Sequence, residues 1–205
     1  YLAEPRGKDQ SAPATDLQQA QELAKTLGES DTRGATSLSL ALGFYRAGQI
    51  EMGLPWARKA IALAPVPPAH LTYGDMLLTQ AEQLTDPAKS QPILEEALKQ
   101  YDQVLSLQPL SIEAVNNKAW ILSRHLNQHE AALKLVMDVR KQVDANALPG
   151  EFFDTLGTIQ EQIGQLREAE ESYAQGLRRS PEQPILNFHM GRLLAKDRTR
   201  MALAM

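Results

Sequence analysis

The chain has 205 residues, 43% hydrophobic and 22% charged, enough for a substantial core and compatible with one or two domains. A formal net charge of −4, with no dense Lys/Arg block, excludes a general nucleic-acid binder. No apolar run approaches the ~18 residues of a membrane span, and the absence of cysteine excludes thiol chemistry while leaving the redox compartment open.

The first residue is Tyr1 rather than Met, so the sequence is expected to be a processed or trimmed piece, with any signal peptide upstream. The compartment, cytoplasmic or periplasmic, stays open for the same reason. Residues 1–15 (YLAEPRGKDQSAPAT) carry Pro5, Gly7 and Pro13 and read as a flexible lead-in. From Asp16 the apolar residues Leu17, Ala20, Leu23, Ala24 and Leu27 recur at helical spacing, with Thr15 or Asp16 as N-cap and Gly28 as stop. Beyond Gly28, helical segments alternate with short Gly-, Pro- or Asn-bearing turns. Ala, Leu, Gln and Glu dominate and no period-2 strand pattern occurs, so the fold class is all-α.

A repeat runs through these helices. LGFYRAGQIEMGLPWARKAIALAP (Leu42–Pro65), EEALKQYDQVLSLQP (Glu95–Pro109) and LGTIQEQIGQLREAEESYAQGLRRSP (Leu156–Pro181) share one pattern. The second helix of each unit carries a small residue near its start, at Gly53, Ala97, Ala131 and Ala169. A packing residue follows four positions on, at Ala57, Tyr101, Leu135 and Tyr173, and a third contact position at Ala60, Val104, Asp138 and Gly176. Units close at Pro65, Pro109 and Pro181, with Val143 the exception. First helices carry matching small residues at Ala41, Ala119, Gly157 and Gly191. Ala97 to Ala131 and Gly157 to Gly191 are each 34 residues apart. Small residues let paired helices approach, large ones fill the gap to the next pair, and proline ends the second helix.

A 34-residue period with this pattern resembles the tetratricopeptide repeat (TPR) family in its bacterial form. Leu156-Gly157, Gly164, Ala169, Tyr173 and Pro181 carry the resemblance, and Ala41, Gly48, Ala60 and Pro65 repeat it. It implies a right-handed superhelix of antiparallel helix pairs, an α-solenoid whose first helices line the concave side. The register places repeats at 34–67, 68–111, 112–145 and 150–183 and a terminal helix at 184–196. All lie in one domain over 16–198, with a tail at 199–205. Four departures stand out. Extra residues near Thr85–Pro92 predict a loop or lengthened helices in the second repeat. Asn146–Pro149 lengthen the approach to the fourth. Pro55 lies early in a second helix, where a missing N–H is tolerated within the first turn. Lys118 stands where the family has a large apolar residue.

Tests for chemistry come back empty. His125 and His129 have the spacing of a metal-chelating helix face, but Leu126–Gln128 reads as a turn between them and no third ligand presents itself. His70 and His189 read as surface or groove-lining residues. The runs Glu95-Glu96 and Glu168–Glu171 read as solvated faces. No GxxxxGK[ST], GxGxxG, GxSxG or HExxH is present. The expectation is a non-enzyme without cofactor or metal.

The concave side then supplies the partner site. Its candidates are Asn116, Asn117, Trp120 and Arg124 in the third repeat, Asp154, Thr158 and Glu161 in the fourth, and Phe188 and Arg192 on the terminal helix. Asn side chains donate to and accept from a peptide backbone at once, and Trp supplies a large anchor. Trp120 reads equally as core packing between repeats. The Lys/Asn clamp by which some TPR domains hold chaperone tails is not met, since Leu38 and Leu42 occupy its places. The expected function is a scaffold binding a peptide or partner protein, without nucleic acid or membrane insertion. The run NNKAWILS with its successors is similar to bacterial TPR proteins of envelope and secretion assemblies. The alternative is a self-associating or accessory module, through Phe188 and Leu194 of the terminal helix.

Overall fold

A computed structural model describes residues 22–204; the lead-in at 1–15 and the first residues of the helix expected from Asp16 lie outside them. Among the described residues there is helix and turn and no strand. The elements are α1 (22–29), α2 (Ala35–Arg46), α3 (Ile50–Leu63), α4 (Pro67–Glu82), α5 (Pro87–Leu107), α6 (Ile112–Trp120), α7 (His129–Arg140), α8 (Gly150–Gln162), α9 (Leu166–Arg179) and α10 (Pro184–Ala204). Contacts divide the chain into two compact bodies, one through Met76 and one from Leu77, with the division falling inside α4.

In the first body α2 and α3 form an antiparallel pair closed by a tight turn. Ala41, Gly53, Ala57 and Ala60 are buried as the repeat pattern expects. Asp31 organises the start of α2. Its carboxylate accepts from the backbone N–H groups of Arg33, Gly34 and Ser37 at 3.1, 3.0 and 2.7 Å, donors a helix start otherwise leaves unserved. Ser37 first, then the N–H groups of Arg33 and Gly34, hold the Asp31 carboxyl down to about 2. His70, expected at the surface or lining the groove, is buried at 7% exposure.

In the second body the core gathers Val115, Ala119, Val136, Phe152, Phe153, Leu156 and Ile159 from α6, α7 and α8. Tyr173, Leu186 and Leu193 form a second cluster between α9 and α10. Each large buried side chain here is worth roughly 1.5–3 kcal/mol against its exposed state. α3, α5 and α9 each stop two residues before Pro65, Pro109 and Pro181. The residue before each proline, Ala64, Gln108 or Ser180, leaves helical geometry with ψ of 98°, 80° or 72°, as proline's ring demands of its predecessor.

Three of the four departures, and the end of the terminal helix, resolve as follows. The extra residues of the second repeat lengthen helices: α5 runs 21 residues, capped by Asp86 with Pro87 at its start. Only residues 83–86 separate it from α4. Pro55 is the sixth residue of α3, past the first turn, and faces solvent, where water can serve the carbonyl its ring leaves unpaired. Lys118 pairs with the Asp102 carboxylate of α5 and is three-quarters buried. The terminal helix expected to end at 196 continues to Ala204.

One register position differs from the sequence pattern. That pattern turns Ala131 and Leu135 toward the first helix, but Ala131 is exposed, Leu135 half-buried, and Ala132, Val136 and Val139 fill the core instead. The cause is a single π turn at Ile121–His125, where the N–H of Leu126 bonds the carbonyl of Ile121 at 3.2 Å. This turn holds one residue more than an α-helix would.

Candidate functional site

The sequence spacing sets Asn116, Trp120 and Arg124 four apart on one helix face, but the π turn intervenes. Asn116 and Trp120 lie on α6 proper, both half-buried, while Arg124 sits inside the π turn and is exposed. Asn116 Nδ2 donates to Asn117 Oδ1 at 3.3 Å. Trp120 is half-buried and hydrogen-bonded: its Nε1 donates to Glu82 Oε1 of α4 at 2.8 Å, and His125 Nε2 lies 3.7 Å from that oxygen. Glu82, which sequence reasoning does not single out, thus links two residues that it does. His129 Nδ1 lies 3.0 Å from Ser123 Oγ, across the turn from His125, and among the described residues no group of His, Asp and Glu is arranged to hold a metal.

The second set assembles between α8 and α10. Asp154 and Thr158 are buried and Glu161 is half-buried, all on α8 because the register aims one face of that helix at the next first helix. Asp154 Oδ1 and His189 Nδ1 are 2.7 Å apart, an acid–imidazole pair enclosed between the two helices. Thr158 Oγ1 lies 3.3 Å from the Tyr173 hydroxyl, which donates to Glu161 Oε2 at 3.2 Å. Arg192 Nη2 donates to the same oxygen at 2.7 Å, and Lys196 Nζ to Oε1 at 2.8 Å. Burial pushes the Glu161 carboxyl up, but Lys196 and Arg192 more than offset it and leave it below its ordinary value. Burial, against the Thr158 hydrogen bond, drives Tyr173 well above the usual phenol range.

Phe188 is 61% exposed, with the Arg192 guanidinium carbon 5.9 Å from its ring centroid. His189, expected as surface or groove lining, is instead buried at 7% exposure. Its partner Asp154 is 35 residues upstream, and only the 34-residue register brings the two helices side by side. Lys196 and Tyr173 complete the cluster: Lys196 lies one turn beyond Arg192 on the terminal helix, where the sequence also offers it to the groove, whereas Tyr173 is legible in the sequence only as a packing residue of α9. A cavity of about 720 Å³ opens beside Glu161, bounded by Leu166, Arg192, Ala195 and Lys196.

The tetratricopeptide repeat family model matches residues 151–183, the helix pair α8–α9. No curated protein matches the chain by sequence. Solved structures with the same fold include a thermophilic TPR protein of Thermus thermophilus, 18% identical over 91% of this chain and 94% of that one, with a TM-score of 0.68. PilF of Pseudomonas aeruginosa is 20% identical over 88% and 72%, with a TM-score of 0.64. YrrB, a TPR protein with an unusual peptide-binding site, is 16% identical over 86% and 84%, with a TM-score of 0.59. At these identities the likeness carries the fold and leaves the ligand open. With small and aromatic residues meeting across helix pairs, prolines ending the second helices and the family pattern matched at 151–183, this chain has the all-α helical-repeat fold of the tetratricopeptide-repeat proteins and carries their repeat signature in α8–α9.

Proposed function

We propose that the first-helix side chains of α6, α8 and α10 bind an extended segment of a partner protein, without catalysis. The observation that supports this most directly is Phe188. It is a phenylalanine 61% exposed beside a guanidinium, on the same helix that closes the Asp154 and Glu161 pairs. An exposed aromatic flanked by oriented polar groups is what a peptide anchor uses. Trp120 and Asn116 offer a second anchor on α6, with polar groups able to meet peptide N–H and C=O. The similarity of the NNKAWILS run to bacterial envelope and secretion TPR proteins extends the reading to an assembly of that kind.

The double variant Asn116→Ala/Trp120→Ala tests the reading. Capture of a partner from envelope and soluble fractions is expected to weaken while helicity and melting stay close to the parent. Loss of the fold instead would make Trp120 a packing residue and remove α6 from the site.

A further inference from the structure

We infer that the α8–α10 end of the site is built for an acidic segment, whose carboxylate is taken by Arg192 and Lys196 while an adjoining apolar side chain packs against Phe188. The inference rests on the peptide-binding reading above and names the chemistry of its ligand.

Charge balance carries the argument. Two cations, Arg192 and Lys196, converge on the single carboxylate of Glu161, which leaves one positive charge in excess. Glu161 is enclosed, its side chain 6% exposed, whereas Arg192 and Lys196 are 35% and 59% exposed. The carboxylate therefore anchors the cations from below and presents little surface of its own to the cavity it helps to line. It also accepts from the Tyr173 hydroxyl, so three donors already serve its two oxygens. The cations are far from saturated. A guanidinium has five N–H donors and an ammonium three, and each of these two side chains commits one of them to Glu161.

The space and the surroundings agree with such a ligand. The cavity of about 720 Å³ lies directly against both cations and has Leu166 and Ala195 in its wall. Phe188 lies one helical turn before Arg192, so an apolar contact and a charged one are offered side by side. The excess is local. From Arg192 to Arg200 the sequence carries four cations and one anion on a chain whose net charge is −4. A basic end on an acidic protein favours an acidic partner and disfavours a second copy of the same acidic chain.

The probe is a short fluorescein-labelled peptide rich in Glu and Leu, titrated by anisotropy alongside its Gln-for-Glu counterpart. The Gln peptide and the Arg192→Gln/Lys196→Gln variant are each expected to lose about tenfold in affinity. The acidic peptide is expected to weaken with added salt. Glu161→Gln distinguishes a ligand site from a structural pair. It removes the competing carboxylate, so the acidic peptide binds at least as tightly even though melting falls; if these groups only brace the helices, binding falls together with melting. Lys196→Gln alone, at an exposed position, keeps the test valid where the double variant fails to fold. Equal binding of both peptides overturns the inference and leaves the peptide reading standing. Preference for a Lys/Leu peptide or for anionic vesicles also overturns it. Failure of acidic, neutral and basic peptides alike overturns both.

Discussion

Three turns between paired helices meet the same demand at one residue each. Gly48 and Gly164 have φ of 71° and 81°, and Asn127 takes the equivalent place at 53°. Each stands five residues before the small residue of the second helix, Gly53, Ala132 or Ala169. That shared spacing independently fixes Ala132, not Ala131, as the contact residue. Left-handed backbone costs ordinary residues roughly 1–2 kcal/mol, glycine nothing, and asparagine something between. Gly164→Ala is therefore expected to lose about 1 kcal/mol and Asn127→Gly to gain a few tenths, both read from urea midpoints. A loss on Asn127→Gly would mean that the asparagine side chain holds the turn. Gly157 answers to a different constraint. A Cβ there would stand 2.6 Å from Tyr173 Cε1, so close approach of α8 to α9 demands its absence.

At the scale of the element, the π turn at the end of α6 is the distinctive feature. Seven residues separate Ala41 from Gly48 and Gly157 from Gly164, but eight separate Ala119 from Asn127. The extra residue is absorbed by widening one turn, so that Ile121 and Ser123 stay buried while Arg124 faces solvent. Deleting Arg124 is expected to return α6 to regular helix with little change in thermal midpoint. Deleting the exposed Gln162 from regular α8 is expected to cost several degrees more, because the following turn loses a residue it needs. Equal losses would show that the π turn is required by its surroundings. The turn also marks where the sequence stops being legible. Helix–turn–helix periodicity is plain because proline, glycine and small residues sit at positions with one physical reading each. The slip is not, because Ala131 and Ala132 are the same residue type and Leu135 and Val136 are both apolar. Likewise the residues of the α8–α10 cluster are legible only one helix at a time. Their pairing, Asp154 with His189 and Glu161 with Arg192 and Lys196, depends on side-chain reach between helices, which a single helix pattern does not encode.

At the scale of the two bodies, each holds a carboxylate depressed by its folded surroundings, Asp31 in the first and Glu161 in the second. A carboxyl whose folded pKa lies below its unfolded value favours the folded state once ionised, so its contribution is fully present above the unfolded value. For Asp31 that contribution is present above 3.8 and disappears as the pH falls to about 2. For Glu161 it is present above 4.5 and is lost as the pH falls through its lower folded value. Acid should therefore loosen two specific places: the start of α2 and the seam of α8 with α10. Hydrogen exchange followed from neutral pH down to pH ~2 is expected to show early loss of protection at Ser37 and Leu38, whose amides depend on Asp31 and on the turn it caps. After correction for the intrinsic pH dependence of exchange, Asp31→Asn should start with lower protection there and stay flat across the acid range. Its amide oxygen still accepts, but no charge remains to titrate. Glu161→Gln should flatten the acid response of α10 and leave that of α2 unchanged. If Asp31→Asn retains the full acid response at Ser37 and Leu38, the depressed carboxyl at the start of α2 is not what acid acts on, and the loosening has its source in other carboxylates.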